Sequence, residues 1–179
     1  VGSGLLIRSF IALNRGSAGF DDRNLLTFDV SLSDKEFAEA PKVRRFFKQF
    51  IEKVEALPGV QRAASTDLLP LGGSDSENQF FITNRPTPSP SELPLAMSYV
   101  TSAGYLTAMK IPLLQGRYFE DNDTLTSTPV MVIDENMSSQ YFPGESPLGQ
   151  HISIPTGPDN AIEFQVIGIV GHVKQQNLD

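Results

Sequence analysis

The sequence predicts an α+β fold with a mixed sheet, and three observations carry that expectation. A strand-like segment, a strongly amphipathic helix and a second strand-like segment follow one another in the first half of the chain. The second half breaks into short apolar runs separated by turn residues, the pattern of a β-rich unit. The 179 residues suit one domain or two small ones, with a net charge of −7. Adding the glycines to the hydrophobic 40% brings the apolar share to about 48%, an ordinary globular value.

Composition also removes function classes. The chain is too apolar to be disordered overall and too acidic to coat nucleic acid by charge alone. It has no cysteine, which rules out a disulfide scaffold, a thiolate metal site and a cysteine nucleophile. With only His151 and His172, a histidine-rich metal centre is excluded as well.

Taken in order, residues 1–13 (VGSGLLIRSFIAL) suit a short apolar helix. They fall short of the ~20 residues a bilayer-spanning helix needs. They therefore read as an amphipathic lead-in, as the outer end of a membrane helix, or as a surface helix packed on the domain. Residues 25–32 (LLTFDVSL) alternate Leu26, Phe28, Val30 and Leu32 against polar neighbours, which predicts a half-buried strand.

A helix is predicted over 41–57. Pro41 suits its first position, and Val43, Phe46, Phe47, Phe50, Ile51, Val54 and Leu57 form one apolar stripe. Lys42, Arg44, Arg45 and Lys48 crowd its start and Glu52 and Glu55 its end, against the helix dipole, at a cost of about 1–2 kcal/mol in total. Burying the stripe contributes on the order of 10–20 kcal/mol before entropy, so the helix should dock on a sheet. With Lys53 its five basic and two acidic residues make it +3, and a solvated face is the preferred reading of that charge.

Residues 60–69 predict a second strand, and a right-handed crossover if it is parallel to the first. Residues 71–76 form a polar loop and 79–83 a short strand. Residues 85–94 gather Pro86, Pro88, Pro90 and Pro94 into an extended surface loop flanked by Arg85. Strands follow at 95–100, 130–133, 150–154 and 164–170, with helices at 103–109 and 135–142, the latter capped by Asp134. Residues 111–117 read as a tight apolar turn. The buried run at 164–170 needs partners on both sides, and nothing after it in this chain can supply them.

No chemical motif emerges. There is no phosphate-binding Gly-rich loop and no nucleophile elbow. The run Glu120-Asp121-Asn122-Asp123 lacks the glycine and glutamate of a calcium loop and reads as a turn. Asp134-Glu135 reads as a helix start, not a carboxylate pair, and Met97, Met109, Met131 and Met137 as core filler. No catalytic, cofactor-binding or metal-ligating residue is assigned, and no cofactor is expected.

Four strings are informative in themselves: LPGV at 57–60, SAGYLTAMKIPLLQGRYF at 102–119, VMVIDENMSSQYFPGESPLGQHI at 130–152 and FQVIGIVGHVKQQNLD at 164–179. In this order they resemble the periplasmic core domain of MacB-type ABC transporter permeases of the FtsX-like superfamily, with the nearest likeness to the duplicated orphan permeases called the ADOP type. The segment GLLIRSFIALNRGSAGFDDRNLLTF at 4–28 resembles that family's exit from its first membrane helix.

The resemblance implies a fold and a role. Residues 1–20 would be the end of that membrane helix or a juxtamembrane lead-in. Residues 21–85 would be a porter-like strand–helix–strand unit, 86–163 an inserted β-rich subdomain (the Sabre), and 164–179 a strand returning toward the porter part. The domain would sit on the extracytoplasmic, periplasmic side of the cell membrane and transmit ATP-driven motion to a substrate or partner protein without catalysis of its own. Its partners would be the membrane-embedded remainder of the permease, a separate ATPase subunit or domain, and a periplasmic adaptor or second permease copy, with no nucleic acid. In the family a further strand–helix–strand follows the run at 164–170. Residues 21–85 are therefore expected to be loosened or to borrow a strand from a neighbouring copy. The competing expectation is a free-standing small-ligand-binding module with a ferredoxin-like sheet. An enzyme would need a residue cluster that the sequence does not offer.

Overall fold

The structure, a computed structural model, describes residues 19–32, 39–70, 72, 76–124, 126–157 and 160–174. The lead-in helix expected over 1–13 lies outside the described residues, as does the end of the chain from 175. The architecture is α+β with a mixed sheet, as the sequence predicts.

Helix α1 spans Ala40–Glu55, with proline in its first turn and Lys53 in its last. Gly59, at φ +89°, turns the chain away after it. None of its residues is buried. The expectation of a helix docked on a sheet is corrected here, for no described strand packs against it. Its stripe is covered instead by its own neighbours and by the extended segment before it. Phe28 meets Phe50 edge-on at 5.9 Å between ring centroids, and Phe46 stacks on Phe50 at 5.9 Å.

The strands expected at 25–32 and 60–69 are likewise corrected to extended backbone without a ladder. Leu26 is 84% and Phe28 58% exposed. The second segment makes one isolated antiparallel bridge, Thr66 to Thr101. Alternation predicts which side chains share a face, but a strand exists only where a neighbour accepts its backbone bonds.

The second half does find such neighbours. Strands β1 (Glu77–Gln79), β2 (Phe81–Ile82), β3 (Leu95–Met97), β4 (Leu113–Gly116), β5 (Val130–Asp134), β6 (His151–Gly157) and β7 (Asn160–Val170) alternate with the short helices α2 (Tyr105–Ala108) and α3 (Glu135–Tyr141). β1 and β3 form a two-stranded antiparallel sheet, and the other five strands form one mixed sheet ordered β2-β6-β7-β4, with β5 paired to β7. β5 runs parallel to β7; β4 and β6 run antiparallel to it.

β7 is therefore the central strand, and its partners among the described residues, β4, β5 and β6, precede it in the chain. Its eleven residues run unbroken across position 163. The tight turn expected at 111–117 contains β4, which lies against Gly168: a Cβ there would sit 2.3 Å from the Arg117 carbonyl oxygen. Only a glycine allows that approach.

Two cores flank the sheet. Phe80, Ile133, Phe142, Ile152 and Val166 lie at the centre of one, with Ile152 fully enclosed. Tyr105, Leu106, Met109, Ile111, Val170 and Val173 form the other, against which Phe20 and Ala64 pack from the first part of the chain.

Candidate functional site

Several polar residues that could carry chemistry bond other parts of the fold. Asp134 ends β5 and caps α3: its Oδ1 accepts from the Met137 backbone N–H at 2.8 Å. Its Oδ2 lies 2.6 Å from His172 Nδ1, and Glu135 Oε1 accepts the His172 backbone N–H at 3.1 Å. The adjacent carboxylates thus tie residue 172, just past β7, to the start of α3. The capping role of Asp134 was legible in the sequence. The His172 contact was not, because 38 residues separate the partners. Among the described residues the imidazole makes no other hydrogen bond, and no group of three or more His, Asp or Glu side chains could hold a metal ion.

The acidic run resolves in the same way. Asp123 receives two parallel bonds from Arg117, at 2.8 and 2.9 Å, and accepts the Glu120 backbone N–H at 2.8 Å. The guanidinium holds the Asp123 carboxyl below the usual carboxylate range. The run is a turn, as its sequence implies, and the structure adds the ion pair that closes it. Arg117 also borders a shallow open depression of about 400 Å³ beside Gln165 and Ile167, but its guanidinium is already paired.

Arg85 does not wait for a partner beside the proline-rich loop. It donates to the Tyr141 carbonyl at 2.7 Å and to Glu145 Oε1 at 3.0 Å, and its guanidinium lies 5.1 Å from the centre of the Phe142 ring. The loop is tied down further by Phe80 N–H to Pro94 O at 3.0 Å and Gln79 Nε2 to Pro90 O at 3.1 Å. His151 opens β6, opposite Gln165 of β7.

What the geometry does offer is a junction of several chain segments. The segment from Thr101 through α2 to Pro112 carries the second core, and burial pushes the Tyr105 phenol up to about 12. Residues 19–21, 63–67 and 171–173 all cross onto this segment. Asp21 donates its N–H to Met109 O and pairs with Lys110 at 2.8 Å; Arg23 first and Lys110 second hold the Asp21 carboxyl well below the usual range. Sequence reasoning missed this platform. Its one local signal is the compact apolar run Tyr105 to Leu114, broken by Lys110 at φ +53°.

Among the described residues no helix is long and apolar enough to cross a membrane. Over 70 residues, or 39% of this chain, the sequence is 33% identical to the macrolide export ATP-binding/permease protein MacB of Marinobacter nauticus. A MacB of the same description from Azoarcus sp. matches over 70 residues at 33% identity. The match spans only 10% of the length of each of these relatives. The fold is similar to the crystal structure of the periplasmic region of MacB from Actinobacillus actinomycetemcomitans, with a TM-score of 0.50 and 20% identity, over 72% of this chain and 52% of that one. The family model of the MacB-like periplasmic core domain matches residues 16–179, so the chain belongs to that family.

Proposed function

We propose that the chain is the extracytoplasmic domain of an ABC transporter permease, passing ATP-driven motion to a substrate or partner protein and performing no catalysis of its own. The observation that carries this reading is the use of the polar groups. Asp134, Glu135, His172, Arg117, Asp123 and Arg85 each bond a neighbouring segment of the fold, the arrangement of a stiff transmitting body. Family membership supports it, and the relatives named ATP-binding/permease proteins support a separate ATPase subunit or domain as the energy source.

In this reading the domain stands on the periplasmic face of the cell membrane, joined to the membrane-embedded remainder of the permease. A periplasmic adaptor or a second permease copy receives the motion. Residues 21–85 act as the porter-like unit, 86–163 as the inserted β-rich subdomain, and β7 as the strand that carries the chain back from it.

The test is a full permease reconstituted with its ATPase in vesicles. Removing residues 76–170 should leave ATP hydrolysis measurable while substrate movement is lost. Unchanged substrate movement in that deletion, or hydrolytic or group-transfer activity of the isolated domain, would overturn the proposal.

A further inference from the structure

Three separate stretches of chain converge on the segment from Thr101 to Pro112, and each is bonded to it by main-chain groups. In the first crossing, Asp21 donates its N–H to Met109 O at 3.1 Å, and its carboxylate meets Lys110 Nζ at 2.8 Å. In the second, Ser102 N–H donates to Ser65 O at 2.9 Å, the Ser65 N–H donates to Ser102 Oγ at 3.0 Å, and Thr66 bridges Thr101. In the third, Gly171 N–H donates to Pro112 O at 2.9 Å, with Val173 only 8% exposed in the core beneath.

The first and third crossings also touch each other. Gly19 has φ +87°, and a Cβ there would sit 2.0 Å from His172 O and 2.8 Å from Val173 Cα. No residue with a side chain fits that approach, and the left-handed backbone independently favours glycine. Phe20, the next residue, packs on the same core as Val173.

We infer that this junction is a clasp: the crossings at 19–21 and 171–173 are locked through Gly19 and the Met109–Pro112 turn, so that they open together. Lifting the first crossing leaves Met109 O without its donor and uncovers Val173, which removes the backing that holds Gly171 on Pro112 O. The two crossings therefore share one opening equilibrium. A pull on either is delivered to α2 and the sheet behind it, not dissipated by peeling one segment. The clasp rests on geometry alone. Its use in passing motion rests on the transmission role proposed above, and the test below reads the clasp without transport.

Native-state amide exchange in the whole chain measures it. Gly19→Ala forces the crossings apart and should speed exchange of both the Asp21 and the Gly171 amides by about tenfold or more, while the β6–β7 ladder amides change by less than about threefold. Lys110→Gln, a surface change that leaves the core untouched, removes only the ion pair of the first crossing. It should nevertheless speed the Gly171 amide by the same factor as the Asp21 amide, about two- to fivefold. Acceleration at Asp21 with Gly171 unchanged, in either variant, would overturn the clasp. Should Gly19→Ala unfold the chain, the Lys110→Gln result decides alone.

Discussion

The part of the molecule with the clearer amphipathic pattern reaches the lower degree of burial. Around α1, seven large apolar side chains at helical spacing leave no residue buried. Around β7, shorter and less regular runs enclose Ile152 completely and Val166 to 1% exposure. The difference is partners. β7 is flanked by β4, β5 and β6, and its second half, from Val166 on, is mostly buried among them and the two cores. Among the described residues α1 meets the extended segment around Phe28, its own rings and, through Glu55, the chain at Arg62 and Ala63. An apolar stripe states a need; burial depends on what stands opposite.

The comparison would break most visibly under core truncation. Ile152→Ala should cost about 2–5 kcal/mol in denaturant unfolding, whereas Leu57→Ala, at a site 56% exposed, should cost under about 0.5 kcal/mol. Equal losses would mean that the end of the apolar stripe, just past α1, is as tightly packed as the sheet. Amide exchange sharpens the same contrast without mutation. Amides of Ala40–Glu55 should be protected on the order of 100-fold less than those of Val166 to Val170.

Smaller effects probe how each part is fastened. Asp134→Ala removes the α3 cap and the His172 contact, and should cost about 0.5–2 kcal/mol, with Asp134→Asn recovering most of the cap. A double-mutant cycle on Phe28 and Phe50 should return a coupling of about 0.5–1 kcal/mol, which would establish that the extended segment covers α1 in solution.

Acid gives the mildest test. Asp21 and Asp123 both have carboxyls held below the ordinary value by arginine or lysine partners. A depressed folded pKa contributes stability that is full above the unfolded value of about 4 and lost as pH falls through the folded one. These two groups should thus leave the melting temperature flat from pH 7 to about 5, and Asp123→Asn should make its fall below pH 4 shallower.

Much of the fold was legible residue by residue. Pro41 and the stripe from Val43 located α1 to within a turn, and Asp134 announced α3 through its cap. The run at 164–170 marked the core of β7, although β-hairpin pairing with β6 extends that strand back to Asn160. β4 was hidden inside what reads as a turn, because its short LLQG becomes a strand only through the approach to Gly168. The segments at 25–32 and 60–69 show the converse, alternation without a ladder. As for the site, local spacing correctly assigned Asp134 and Asp123 to turns and caps. It could not bring His172 to Asp134 or Gly19 to His172, since those contacts close long loops.

The sequence by itself determined the α+β class, the positions of the helices among the described residues and the family, because periodicity, capping residues and the four strings are local properties of the chain. Only the tertiary structure decided which strands exist, that β7 takes its partners from earlier strands, and that three crossings meet on one platform. Those outcomes depend on backbone groups finding partners far away in the chain, and a side-chain pattern carries no record of where they are.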